Sequence, residues 1–221
     1  GNFSLLSPKL FSPMRSLNSF LLLLFLSFNS LAQKNTQNWH LVKDENDIKV
    51  YLRTLPYSDY KEFRGEVTLN TNLEELLSFI KNASFCPAWR YKCIKMLNLS
   101  EDYIYKLSNL PWPLNNRYTV MQSQLQFEQK NSLYTWQLKN IPRKQLPSYI
   151  RKQLPEQGNT VQMRYSDGFW QFKIINRSSI HITYQMHGDP AGVIPATIAN
   201  QGVTNAAFVT LSNLKTHFSS D

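Results

Sequence analysis

The residues able to do chemistry are few and scattered. Four histidines, His40, His181, His187 and His217, form no His-Glu-x-x-His or His-x-His pattern. His187 with Asp189 supplies two of the ligands a metal would need, but no third lies at a metal-ligand spacing. No Gly-x-Ser-x-Gly elbow is present, and neither Cys86 nor Cys93 sits in a nucleophile motif. Seven glycines leave little material for a phosphate-cradling loop. What remains is chemistry of binding. Arg117, Gln122, Gln124, His181 and His187 lie on strand-like segments and could orient the polar end of an apolar ligand. Arg143, Lys144, Arg151 and Lys152 alternate with Leu146, Pro147, Tyr149 and Ile150. Basic and apolar residues interleaved in this way suit an anionic membrane surface. The formal charge is +9, yet no basic block reaches five residues, so nucleic acid is not an expected partner.

The composition is that of a globular chain of 221 residues, with 42% apolar, 18% charged and 13% aromatic residues. So aromatic a chain can line a cavity as well as fill a core. The first 32 residues read differently. Arg15, the apolar run Phe20–Phe28 and Ser30-Leu31-Ala32 make the charged, apolar and cleavage regions of a signal peptide. That run is short of the roughly 20 residues a membrane span needs. Met14 suits its start, which makes residues 1–13 an upstream extension, 14–32 the leader and 33–221 one domain. Export to a periplasm or beyond is expected, and cleavage lowers the charge to +7 by removing Lys9 and Arg15. An oxidising compartment permits a Cys86–Cys93 disulfide; two buried thiols fit equally well.

Strands are expected at 39–43, 48–54 and 60–69. Leu73, Leu76, Leu77 and Ile80 then fall on one face of a helix over 72–82, with Thr71 and Glu74 as a capping box. Further strands follow at 92–98, 103–107, 118–127 and 133–139, then a Pro-rich loop over 141–157. Three more are expected at 161–165, 168–176 and 179–187. A terminal helix begins near Ile194-Pro195, carries Ala207, Leu211, Leu214 and Phe218 on one face, and is softened by Gly202. Strands bracketed by helices mean an α+β fold in which a curved antiparallel sheet encloses a space against one long helix.

Three stretches resemble the START family (steroidogenic-acute-regulatory-related lipid transfer domains). Leu110-Pro-Trp-Pro-Leu-Asn-Asn-Arg117-Tyr-Thr-Val120 is similar to the family's Pro-Trp-Pro…Arg-Asp…Val segment, with Tyr118 in place of Asp. Gly168-Phe-Trp170 looks like its Gly-x-Trp. Tyr184 to Pro195, then Asn200, resembles the junction into its lid helix, with Ala191 in place of a Gly. Trp39, Ile48-Lys-Val-Tyr51 and Trp89 also have counterparts, so the likeness covers about 36–218. It implies a helix-grip (START / Bet v 1-like) fold, a cavity for one lipid or hydrophobic molecule, no cofactor, no catalysis and a C-terminal helix that opens as a gate. The implied cavity and lid residues are Arg117, Gln122, Gln124, Trp136, Trp170, Tyr184, His187, Asn200, Phe208 and Leu211. A transient anionic membrane surface is the expected partner, and the chain is expected to act as a monomer. Sterol-binding members bury a charged pair; the strand 118–127 carries no charge here. The competing expectations are a helix-grip enzyme of the polyketide cyclase or aromatase type, using Arg117, His181 or His187, and a membrane-surface module contacting through 143–152.

Overall fold

A computed structural model describes residues 38–219. The expected upstream extension and leader lie outside the described residues. The strands are β1 (His40–Glu45), β2 (Ile48–Leu55), β3 (Ser58–Leu69), β4 (Cys93–Asn98), β5 (Tyr103–Ser108), β6 (Arg117–Glu128), β7 (Leu133–Asn140), β8 (Val161–Gln162), β9 (Tyr165–Asn176) and β10 (Ser179–Asp189). The α-helices are α1 (Leu73–Lys81), α2 (Cys86–Trp89), α3 (Ser148–Arg151) and α4 (Ala196–His217). One sheet runs β1-β2-β3-β10-β9-β7-β6-β5-β4, antiparallel throughout, with the short β8 parallel to the start of β6. This is the expected α+β helix-grip arrangement.

The sheet closes on α4 because its inner face is apolar from end to end. Ile48 and Val50 of β2 share one core with Met96 of β4, Trp170 and Phe172 of β9, and Ala207, Leu211 and Leu214 of α4. β1, β2 and β3 pack on α4 directly, while β4, at the other end of the order, joins the same core through α2, so the sheet curls around the helix. Gly65 makes the contact close. A Cβ there would stand 2.7 Å from a Leu211 methyl and 3.3 Å from Ala207.

Local chemistry departs from expectation in three places. Asn72, not Thr71, caps α1: its Oδ1 accepts from the Glu75 amide at 3.0 Å, while Thr71 Oγ1 donates to the Glu75 carboxylate. The strand expected at 161–165 shrinks to β8, because Tyr165 already pairs with Asp189 and belongs to β9. The Pro-rich loop contains α3 and a short 3-10 turn at Arg143–Gln145, and buries Leu146 and Ile150 against Tyr105, Tyr118 and Val120. Period-2 alternation puts that second core on the outer face, since Ile104 and Met121 belong to the first. Cys86 and Cys93 form a disulfide with 6.0 Å between Cα atoms. It ties α2 to the first residue of β4.

Candidate functional site

A cavity of about 420 Å³ lies between the N-terminal half of α4 and the sheet. That volume is typical of a site for one small ligand. Helix α4 divides into two working halves. Its C-terminal half is anchored: Leu211 and Leu214 are fully buried, Thr210 Oγ1 accepts from the Tyr91 amide at 3.1 Å, and Asn213 donates to the Trp89 carbonyl at 3.2 Å. Its N-terminal half roofs the cavity with Ile198, Val203 and Ala206. Gly202 also faces it, with nothing within 4 Å of a hypothetical Cβ. The helix nonetheless continues through Gly202, since 22 residues of propagation outweigh one poor former.

Asn200 latches this half to the sheet. Its Oδ1 accepts from the Lys61 amide at 2.8 Å, and its Nδ2 donates to the Asp59 carbonyl at 3.1 Å. The side chain acts as a short substitute strand. Arg117 is a second clamp. Its guanidinium is buried and donates to the carbonyls of Asn115, Pro190 and Ala191, which holds the turn before α4. Asp189 shapes that turn by accepting from the Ala191 amide at 2.8 Å and from Arg164 at 2.7 Å. Ala191 sits at φ 58°, the left-handed conformation that glycine adopts most easily.

Of the expected ligand residues, Tyr184 presents its side chain to the cavity, and its hydroxyl accepts from Arg90 at 3.4 Å. His187 touches the cavity wall, but alternation with Tyr184 and Met186 turns its imidazole to the outer face. There it meets Ser58 Oγ at 2.9 Å and the rings of Tyr57 and Tyr165. Burial holds that imidazole below its ordinary 6.5, against the opposing pull of Glu62. Gln122 and Gln124 do not reach the cavity; by alternation they share the outer face with Val120 and are exposed there, where β6 runs on past the first residue of β5, Tyr103. Trp136 and Trp170, paired in register, fill the core; Trp170 stacks on Tyr184 at 3.8 Å. Leu211 packs on Gly65, and Phe208 lies under the Lys43 ammonium at 4.0 Å.

Sequence reading missed the polar end of the cavity. Arg90 and Lys106 line it. Arg90 follows α2 inside the disulfide loop, and Lys106 alternates inward on β5 with Ile104. Burial and the nearby Arg90 cation push the Lys106 ammonium well below the ordinary 10.5. The alternation of β5 could have found Lys106. Nothing local distinguishes Arg90 from a surface arginine. The basic residues Arg143, Lys144, Arg151 and Lys152 are at the outer core's cover and do not line the cavity. Beside its apolar rim stand Trp112, 92% exposed, and Val193, 98% exposed. Among the described residues, no three His, Cys, Asp or Glu side chains are grouped to hold a metal ion, and no helix is long and apolar enough to cross a membrane.

No protein-family profile matches the chain. An uncharacterised protein of Pseudomonas aeruginosa is 26% identical over 191 residues, covering 85% of this chain and 88% of that one. The crystal structure of a STAR-related lipid transfer protein from Xanthomonas axonopodis is 28% identical, spans 82% of this chain and 99% of its own, and superposes with a TM-score of 0.69. Human StAR-related lipid transfer protein 5 shares the fold at 12% identity, covering 84% of this chain and 88% of its own, also with a TM-score of 0.69. By this likeness the chain has the fold of a START (StAR-related lipid transfer) domain, a large antiparallel sheet gripping a C-terminal helix.

Proposed function

We propose that the protein binds one lipid or other hydrophobic molecule in the cavity under α4 and carries or presents it unchanged. The observation that carries this is the cavity: apolar over most of its wall, polar at a few points, and roofed by half of an otherwise anchored helix. Apolar area withdrawn from water there stabilises a complex by roughly 25 cal/mol per Å². The START fold supports lipid binding in general, and the Xanthomonas neighbour is named for lipid transfer. The residues expected of an enzyme are engaged elsewhere. Arg117 is bound to backbone carbonyls, His181 meets Thr68 at 3.1 Å on the outer face, and His187 meets Ser58. Tyrosines, lysines, Arg90 and an outward-turned His187 are the titratable groups along the cavity wall, so a cyclase-like activity is tested by the same experiment. The full chain, purified from its native host and extracted with organic solvent, is expected to release one stoichiometric lipid by mass spectrometry. No lipid, and no binding across a lipid panel, would overturn the proposal.

Export to an oxidising compartment is part of the same proposal and accords with the disulfide. Loading from a membrane is proposed at the cavity mouth, where Trp112 and Val193 offer apolar side chains to a bilayer interface. The Arg143–Lys152 segment is proposed as a lateral electrostatic contact. Trp112→Ser is expected to slow lipid pickup from vesicles several-fold. Reversing Arg143, Lys144, Arg151 and Lys152 is expected to weaken binding to anionic vesicles while sparing neutral ones.

A further inference from the structure

We infer that the cavity selects an amphiphile with an acidic head, a carboxylate or phosphate joined to an apolar tail, and that Arg90 and Lys106 hold that head. The inference rests on the carrier reading and narrows its ligand class. Arg90 is 6% exposed, and its Nε has no hydrogen-bond partner. Its one bond to a side chain is the 3.4 Å donation to the Tyr184 hydroxyl. Among the described residues, the Lys106 ammonium meets no acceptor. Thr119, opposite Lys106 in the β5–β6 register, is 1% exposed with an unpartnered hydroxyl. Three polar groups near one another therefore have hydrogen bonds still to make. A buried polar group left so is costly, and a buried unpaired cation more so.

Two other largely buried cations are paired: Arg53 is bridged to Glu62, and Arg117 donates to three carbonyls. Among the described residues, no Asp or Glu lines the cavity, which also receives Lys61 and Lys92. The described wall thus supplies no counter-charge, and a ligand can. Burial disfavours the Lys106 ammonium, and an anion beside it reverses that preference. Arg90 is built to wait for such a group. Its backbone is held between Cys86 and Cys93, with its amide donating to Cys86 at 2.9 Å and its carbonyl accepting from Cys93 at 3.1 Å. The hydroxyl it touches belongs to Tyr184, braced by Trp170 and Phe63. Apolar wall for the tail comes from Leu110, Leu114, Ile194 and Val203. The arrangement differs from a buried Arg–carboxylate pair that would leave the cavity neutral.

The test is calorimetric titration of the delipidated full chain with palmitate, palmitoyl lysophosphatidate, hexadecanol, monopalmitoylglycerol and inorganic phosphate. The acid-headed probes are expected to bind about tenfold or more tightly than the neutral ones of equal tail. Lys106→Met and Arg90→Met should each erase most of that preference while hexadecanol affinity stays within about twofold. Lys106→Arg should retain it, which guards against loss through misfolding. Equal affinity for acidic and neutral heads, unchanged by Lys106→Met, overturns the inference and leaves the carrier reading standing. Inorganic phosphate binding as tightly as lysophosphatidate overturns it in favour of a free-anion site. Failure of every lipid probe overturns the carrier reading itself.

Discussion

Lys106 shows how one residue reports on the cavity wall around it. Its folded pKa lies below the ordinary 10.5, with burial the larger cause and the Arg90 cation the smaller. Between those two pH values the unfolded chain holds a proton that the folded chain has released. Stability of the ligand-free protein therefore rises with pH across that window. Lys106→Met removes the effect. It is expected to be more stable than the natural chain at neutral pH, with an advantage that fades as pH approaches 10.5. Urea denaturation of the delipidated proteins at several pH values checks this, and a gap constant with pH would count against it. The residue was visible in the sequence as one lysine among many. Its significance depends on where the inner face of β5 points, and that depends on the strand's register with β6.

At the scale of elements, α4 is the part that decides exchange. One half is bonded to the α2–β4 connection and buried on β3; the other rests on the Asn200 latch over the cavity. Asn200→Ala deletes two hydrogen bonds from the roofing half alone. Lipid exchange between vesicles and protein is expected to accelerate several-fold, while global stability falls by only about 1–2 kcal/mol. Unchanged exchange with that loss of stability would show that α4 does not gate the site. The helix itself was legible from the spacing of Ala207, Leu211 and Leu214. So was α1, from Leu76 and Ile80. The cap shifted from Thr71 to Asn72 because both are good acceptors, and only backbone geometry chooses between neighbours of similar chemistry. Strand β6 read as a uniform alternation. Its second half is exposed because its neighbour β5 stops, a fact of pairing that lies outside the strand's own residues.

Among the described residues the fold is one sheet curled around the long helix α4, and the two ends of that sheet are held by different means. The β2–β3 end closes on α4 through apolar packing at Gly65. The β4 end is joined to α2 by the Cys86–Cys93 bridge, which encloses Arg90. Replacing both cysteines by serine is expected to cost about 2–3 kcal/mol through the loop entropy returned to the unfolded chain. It should also blunt discrimination between acidic and neutral heads more than it weakens tail binding. Denaturation midpoints and paired titrations with palmitate and hexadecanol separate the two effects.

Residue order alone determined the α+β class, the two main helices and most strands, because helix and strand periods are local signals that a curled sheet does not alter. The ordered likeness of the Pro-Trp-Pro, Gly-x-Trp and Asp-Pro segments pointed to the START fold for the same reason: turns and tight approaches need particular residues wherever the fold recurs. The tertiary structure decided which side chains meet. It sent Gln122, Gln124 and the His187 imidazole away from the cavity and put Trp136 and Trp170 into the core. It brought Arg90 and Lys106, 16 positions apart, to one wall. A cavity is made of residues distant in sequence, and the absence of a carboxylate among them is a property of their assembly that no single segment carries.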